Sequence, residues 1–276
     1  ANYAACAELA RRAKAAEASL LCLPECFHFL GKSSKESVRI AERIHGSAAE
    51  VYVEEGDEDQ GWLREMSAVQ RYRELAREVG IWLSLGGFQE RCEEEEGKIH
   101  NCHLLISAAG ELVARYRKVH LFDVDVPNGP LLMESSFTVA GGEVVAAASA
   151  AGVLGLTTCY DLRFPAMYAR LAALGAQVLL VPSAFTVPTG EAHWEVLLRA
   201  RAIETQCYVV AAAQAGMHNE KRESYGRAMI VSPWGEVLAD CGREQAPHML
   251  TATVDLDRLE SIRTRMPVQA HARHDV

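Results

Sequence analysis

Apolar and polar positions along the chain follow two periods. Residues 3–18, rich in alanine, and residues 61–79 repeat at helical spacing, as do 164–174 and 191–206. In the last of these Trp194, Leu197, Leu198 and Ala202 fall on one face, a core-facing stripe. Short apolar runs lie between the helices: "LLCLP" (20–24), stopped by Pro24, "IWLSLGGF" (81–88) and "CYVVAAAQ" (207–214). "GVLGLTTC" (152–159) is apolar nearly throughout, the mark of a strand buried on both faces. "HNCHLLISAAGELVARYRK" (100–118) predicts a hairpin turning at Gly110, and "GRAMIVSPWGEVLAD" (226–240) another turning at Pro233-Trp234-Gly235. "HMLTATVDLDRLESIR" (248–263) predicts a closing strand and helix. Helices alternating with strands and hairpins predict a layered α/β fold with mixed sheets. With no linker or low-complexity segment, residues 1–276 read as one domain.

Two of the strand ends echo each other. "LCLPECF" (21–27) and "LLVPSAF" (179–185) share a pattern of apolar strand, proline, small turn and phenylalanine. If the two segments are equivalent strand ends in related halves, Glu25 and the turn 183–185 emerge on one rim. Chance similarity of two short segments is the alternative.

Composition narrows the function classes. Of 276 residues 49% are apolar and 24% charged, and the formal net charge is −9 with no basic patch, which argues against a nucleic-acid or anionic-membrane partner. No run approaches the ~18 apolar residues of a membrane-spanning helix, and no signal peptide is evident. "EEEE" (93–96) reads as a solvated loop. Eight cysteines scattered over a long chain point to a reducing compartment: the cytoplasm, with the mitochondrion as a second possibility. "HNCH" (100–103) and "HARH" (271–274) lack the paired elements of a zinc site, so no metal is expected.

Three residues form a candidate chemistry. Cys159 ends a buried strand just before a helix opened by Pro165, Glu25 follows a strand and Pro24, and Lys118 ends a hairpin strand. Taken singly, each has an ordinary reading: a core thiol, a turn carboxylate, a solvated lysine. Together they make an amidase set. A thiolate attacks the carbonyl, a carboxylate moves the proton, and an ammonium holds the oxyanion. A nearby cation and a helix N-terminus favour the thiolate. An accessible thiolate would also oxidise readily.

"LPECF", "YRKVHLFD" and "TTCYDLRFP", in this order, resemble the signature blocks of the nitrilase (carbon–nitrogen hydrolase) superfamily. The resemblance covers nearly the whole chain. It implies a four-layer α-β-β-α sandwich, here without the first strand with which the family usually begins. It assigns Cys159 as nucleophile, Glu25 as general base and acid, and Lys118 with the Tyr160 backbone N–H as oxyanion stabilisers. Glu134, in "LLMESSF", takes the place of a second glutamate that orients the lysine. No cofactor is implied. His120 and His193 read as structural. Within the family, "YRKVHLFDVDVPNGPLLMESS" and "HWEVLLRARAIETQCYVVAAAQAGMHNEKRESYGRAM" resemble the branch that cleaves deaminated glutathione into 2-oxoglutarate and cysteinylglycine. Such a substrate needs a cation in the pocket. Arg163 is the candidate, with Phe122, Phe185 and Thr186 as further pocket residues. An ω-amidase of other α-keto acid amides, a carbamoylase, and a non-catalytic interaction module stay open as alternatives. Family members generally form dimers or larger homo-oligomers.

Overall fold

A computed structural model describes residues 2–44, 67–125, 131–220, 222–243 and 248–273. The first sheet runs in the order β1 (Leu20–Leu23), β2 (Trp82–Arg91), β3 (Ile99–Ile106), β4 (Leu112–Arg117). β1 pairs with β2 in parallel and the remaining pairs are antiparallel. Its outer face is covered by α1 (Asn2–Ala15) and α3 (Ala68–Val79), which bury Ala10, Tyr72, Leu75 and Ala76 against Leu83, Leu85 and Leu104. A short helix, α2 (Ser34–Arg39), lies in the connection between β1 and α3. Two small ribbons also flank the sheets: β5 (Asp123–Asp125) with β6 (Leu131–Met133), and β11 (Ala215–Asn219) with β12 (Arg222–Tyr225).

The second sheet has six strands. Across it lie β14 (Val237–Asp240), β13 (Met229–Val231), β10 (Tyr208–Ala211), β9 (Val178–Leu180), β8 (Gly152–Leu156) and β7 (Val145–Ser149). The parallel pairs β8–β9 and β9–β10 need crossovers, supplied by α4 (Pro165–Ala173) and α5 (Val187–Thr205). Met167, Leu171, Trp194, Leu198 and Ala202 from those helices share one core with strand residues Leu154, Leu156, Leu179 and Val209. Two further helices, α6 (Leu256–Arg265) and α7 (Val268–His271), follow.

The sheets face each other. Leu105 and Tyr116 of the first sheet belong to the core of the second. His103 on β3 lies 2.9 Å from the Thr157 carbonyl and 2.7 Å from the Ser84 hydroxyl. Burial pushes its pKa down to about 4, so it crosses the interface as a neutral imidazole. The order helix, sheet, sheet, helix is the expected α-β-β-α sandwich.

Four local expectations are corrected. The helix expected over 61–79 starts at Ala68, where Ser67 and Gln70 form a reciprocal capping box; residues 61–66 lie outside the described set. α5 starts at Val187, ahead of the expected 191. Residues 248–254 form no strand: Met249 and Val254 pack against the two cores, while Thr251 and Thr253 are exposed and pair with nothing. β7 was not foreseen, because its alanines carry little strand propensity; it forms by pairing with β8.

Candidate active site

The four carried-over side chains all sit at strand ends on one rim. Glu25 follows β1 and Pro24. Its turn fits because β2 has two glycines opposite it: a Cβ on Gly87 would come within 2.7 Å of both Cys26 N and Glu25 Cγ, and one on Gly86 within 2.1 Å of Pro182 Cβ. The register of β2 shifts at this point, between Leu85 and Phe88. The Gly-Gly pair therefore lets both echoed proline turns close over β2. They do meet, since Glu25 Oε2 accepts the Ala184 N–H at 3.1 Å and the Glu25 carbonyl accepts Gln214 Nε2 at 3.1 Å.

Cys159 opens a 3-10 turn, Cys159–Arg163, with φ +50°, a left-handed conformation costly for a residue with a Cβ. Buried Asp161 holds the strain in place. It accepts the Tyr116 hydroxyl (2.6 Å), the Thr158 N–H (2.8 Å), the His120 N–H (3.1 Å) and His120 Nδ1 (2.7 Å). His120 thus has the structural place expected of it. The Cys159 N–H donates to the Pro182 carbonyl at 2.9 Å. The next amide of the turn is Tyr160, and first-turn N–H groups lack intrahelical acceptors.

Lys118 is 2% exposed and follows β4, its N–H donating to the Asn101 carbonyl. Its Nζ donates to Glu25 Oε1 (3.1 Å) and to both oxygens of Glu134 (3.1 and 2.8 Å). Glu134, in a 3-10 turn after β6, also accepts the Phe122 N–H at 2.7 Å. The Cys159 thiol and the Glu25 carboxylate are near enough that each shifts the other's pKa. The Glu25 carboxylate therefore touches a lysine, the Asn101 amide and a backbone N–H.

Protonation follows from this geometry. Burial alone would raise the Glu25 carboxyl, but the Lys118 charge and the nearby thiol hold it below its ordinary 4.5. Burial, then the Glu25 charge, push the Cys159 thiol well up despite Lys118. Burial opposes the lysine charge, yet Glu134 and Glu25 keep it firmly protonated. The resting pair is thus carboxylate and thiol, which corrects the expected resting thiolate. We predict that the acid limb of the kcat/KM–pH profile falls below pH 4.5, the limb reporting loss of the Glu25 carboxylate. The same depressed group contributes stability above its ordinary value and loses it as pH falls through its native one. An acid limb at or above pH 6 would contradict this protonation.

The other candidates divide. The Phe122 ring stands 4.9 Å from Tyr160 and walls the site. Phe185 is buried, with Trp194 at 4.8 Å and the Arg163 guanidinium 5.6 Å from its ring. Arg163 reaches His193 (3.3 Å) on α5, and the Thr186 hydroxyl is engaged by Thr189 (2.8 Å). These three side chains are engaged with α5 and with one another. Two residues were missed from the sequence. Asn101 Nδ2 bridges Glu25 Oε1 (2.9 Å) and Glu134 Oε1 (3.2 Å), although "HNCH" was weighed only as a metal motif. Arg222, exposed on β12, adds a small lowering influence on the Glu25 carboxyl after burial, Lys118 and the thiol; an arginine in a charged loop carries no signal of this. A cavity of about 660 Å³ runs along β1 beside α1 and residues 249–254, and none of the four cluster residues lines it.

Comparisons with known proteins place the chain in a family. The sequence profile described as carbon-nitrogen hydrolase matches residues 1–264. The chain is 46% identical over 278 residues to the deaminated glutathione amidase of Homo sapiens, covering 100% of this chain and 78% of that protein. It is similar in structure to the C. elegans NitFhit protein, with TM-score 0.83 and 40% identity over 99% of this chain but 61% of that longer one. A mutant amidase from Nesterenkonia sp. AN1, bearing acrylamide added at its active site cysteine, matches with TM-score 0.69 and 26% identity, covering 96% of this chain and 91% of that one.

Proposed function

This chain belongs to the carbon–nitrogen hydrolase family and hydrolyses amide bonds; on that premise we propose that it cleaves deaminated glutathione into 2-oxoglutarate and cysteinylglycine through Glu25, Lys118 and Cys159. The observation that carries the mechanism is the buried Glu25 carboxylate, bonded by Lys118 Nζ at 3.1 Å and by the Ala184 N–H at 3.1 Å, with the Cys159 thiol in its neighbourhood. As Sγ attacks the amide carbon, Glu25 takes the thiol proton. The carbonyl oxygen becomes an oxyanion met by Lys118 Nζ and the Tyr160 N–H. Glu25 then passes its proton to the amine as the C–N bond breaks, leaving a thioester on Cys159. Glu25 next deprotonates a water that attacks the thioester, and the acid leaves as the thiol regains its proton. Glu134 and Asn101 keep Lys118 and Glu25 aligned.

The substrate is the finer part of the reading. It rests on the full-length similarity to deaminated glutathione amidases and on cations at the rim, where a keto acid needs one. Arg222 is the stronger of the two arginines, because its charge reaches Glu25, whereas Arg163 turns to α5. The test is release of 2-oxoglutarate from deaminated glutathione beside 2-oxoglutaramate and an N-carbamoyl-β-amino acid. Preference for either comparison substrate would discard the assignment and keep the chemistry. Arg222→Gln is expected to raise KM about 10- to 100-fold with kcat little changed, the loss of a charge-assisted hydrogen bond to the bound carboxylate. An unchanged KM would remove Arg222 from the pocket.

A homodimer or tetramer completes the reading. Val196 and Ile203 are exposed two turns apart on α5, beside the exposed Trp234, an apolar strip suited to a second copy. The eight cysteines stand unbridged, which supports a reducing compartment, the cytoplasm first and the mitochondrion second.

A further inference from the structure

The connection from β2 to β3 gathers three ligand types that the catalytic chemistry leaves unused. Cys92, just past β2, is buried, and its Sγ lies 3.1 Å from Glu94 Oε2. His100 on β3 is 3% exposed, and its Nε2 lies 3.6 Å from the same oxygen. All three donor atoms fall within 4.8 Å of one another. Successive strand residues point to opposite faces. Since Asn101 reaches the catalytic carboxylates, its neighbour His100 turns away from them.

The histidine is the informative member. Its Nδ1 lies 2.9 Å from the Val139 carbonyl, so that nitrogen carries the proton and donates. Nε2 is buried, faces Glu94 Oε2 at 3.6 Å, and has no partner within hydrogen-bond distance. A buried polar atom left unpaired is unfavourable. A ring oriented by a backbone carbonyl with its other nitrogen free is also the usual arrangement of a metal-ligating histidine. Thiolate, imidazole and carboxylate together suit zinc. With bonds of ~2.3 Å to sulfur and ~2.0 Å to nitrogen and oxygen, tetrahedral zinc separates neighbouring donor atoms by roughly 3.3–3.5 Å. The sulfur–oxygen and nitrogen–oxygen separations of 3.1 and 3.6 Å bracket that spacing. Arg117 does not block the group: its guanidinium is engaged by Glu90 at 2.7 and 2.9 Å and stands 4.0 Å from the other oxygen, Glu94 Oε1.

We propose that Cys92, Glu94 and His100 bind a zinc ion, with water as the fourth ligand, and that the ion staples the end of the β2–β3 hairpin. Binding displaces the Cys92 thiol proton to solvent. This replaces the expectation of no metal. Only His100 of "HNCH" takes part, and its partners come from across the hairpin, where a search for paired motif elements does not look.

The test uses the full chain carrying Cys159→Ala, which removes the other candidate thiol, stripped with a chelator and titrated with zinc. One zinc per chain is expected by metal analysis. At zinc a hundredfold above Kd the melting temperature should rise by roughly 5–10 °C. Cobalt should add a thiolate charge-transfer band in the near-ultraviolet. Cys92→Ser should abolish that band, and His100→Gln should weaken binding at least about 100-fold. Glu94→Gln, at an exposed side chain that cannot disturb the core, should weaken it about 10- to 100-fold. Binding no tighter than millimolar, a cobalt spectrum without the thiolate band, or unchanged affinity in Glu94→Gln would overturn the proposal.

Discussion

Replacing Cys159 by alanine should lower amide hydrolysis by at least about 10⁴-fold while leaving the protein folded. The size of the effect comes from the unit formed by thiol, carboxylate and lysine. Without a nucleophile, correct placement of the other two still binds and polarises the amide, but no acyl-enzyme forms, and nucleophile deletions in such units cost nearly the whole rate enhancement. The fold should tolerate the change. Asp161, with its four donors, holds the turn through Tyr116, Thr158 and His120, none of which depends on the sulfur. The Cys159 N–H bond to Pro182 is backbone and is retained. The melting temperature should therefore stay within about 4 °C, or roughly 1 kcal/mol at this chain length. Burst-phase acyl release in the native protein, absent in the variant, would identify the thioester directly. Residual turnover above about 1% would remove Cys159 from the nucleophile's role.

Lys118→Met should damage both activity and stability, and the two losses should separate with pH. The lysine is buried between two carboxylates that are themselves nearly enclosed, so its removal leaves negative charge in a site of low polarity. Breaking a buried ion pair from one side costs about 3–5 kcal/mol, a fall of about 10 °C or more. Loss of the oxyanion contact should lower kcat by a further 10²–10³-fold, about the effect of deleting one such donor. The pH signature distinguishes electrostatics from lost packing. In the native protein Glu25 is held below its ordinary 4.5, so its contribution fades as pH falls through that depressed value. Removing Lys118 takes away the largest influence that opposes burial, so the Glu25 carboxyl is expected to rise and its protonation to favour the folded state. The variant should regain stability relative to native protein as pH drops from 7 toward 4.5. Adding Glu25→Gln should regain part of the stability and none of the activity. A stability deficit that does not vary with pH would assign the loss to packing alone.

Asn101, Arg222 and the Cys92–Glu94–His100 group share a reason for being invisible in the sequence. Asn101 and Arg222 act on residues far away along the chain, Asn101 on Glu25 and Glu134 and Arg222 on Glu25, while Cys92 and His100 meet only when the hairpin closes. Their local sequences look like an ordinary strand, a charged turn and an acidic loop. Glu25, Lys118, Glu134 and Cys159 were legible because each stands in a distinctive block at the end of a strand. The echo of "LCLPECF" in "LLVPSAF" offered a shared rim for Glu25 and the turn 183–185, and the Ala184 N–H bond to the Glu25 carboxylate puts them side by side.

What the sequence by itself determined was the order of elements and the chemical kinds available. Apolar runs long enough to be buried became the strands of both sheets, helical stripes became α1, α4 and α5, and the polar residues that end those strands supplied carboxylate, ammonium and thiol. What only the tertiary structure decided was the charge state in which they meet. The sequence suggested a resting thiolate, because a helix start and a lysine favour one. Folding instead buries Cys159 beside an ionised Glu25, and desolvation together with that neighbouring charge outweighs both influences. Protonation depends on distance through space and on the exclusion of water. Neither is a property of neighbours along the chain, so it becomes fixed only when the two sheets close on each other.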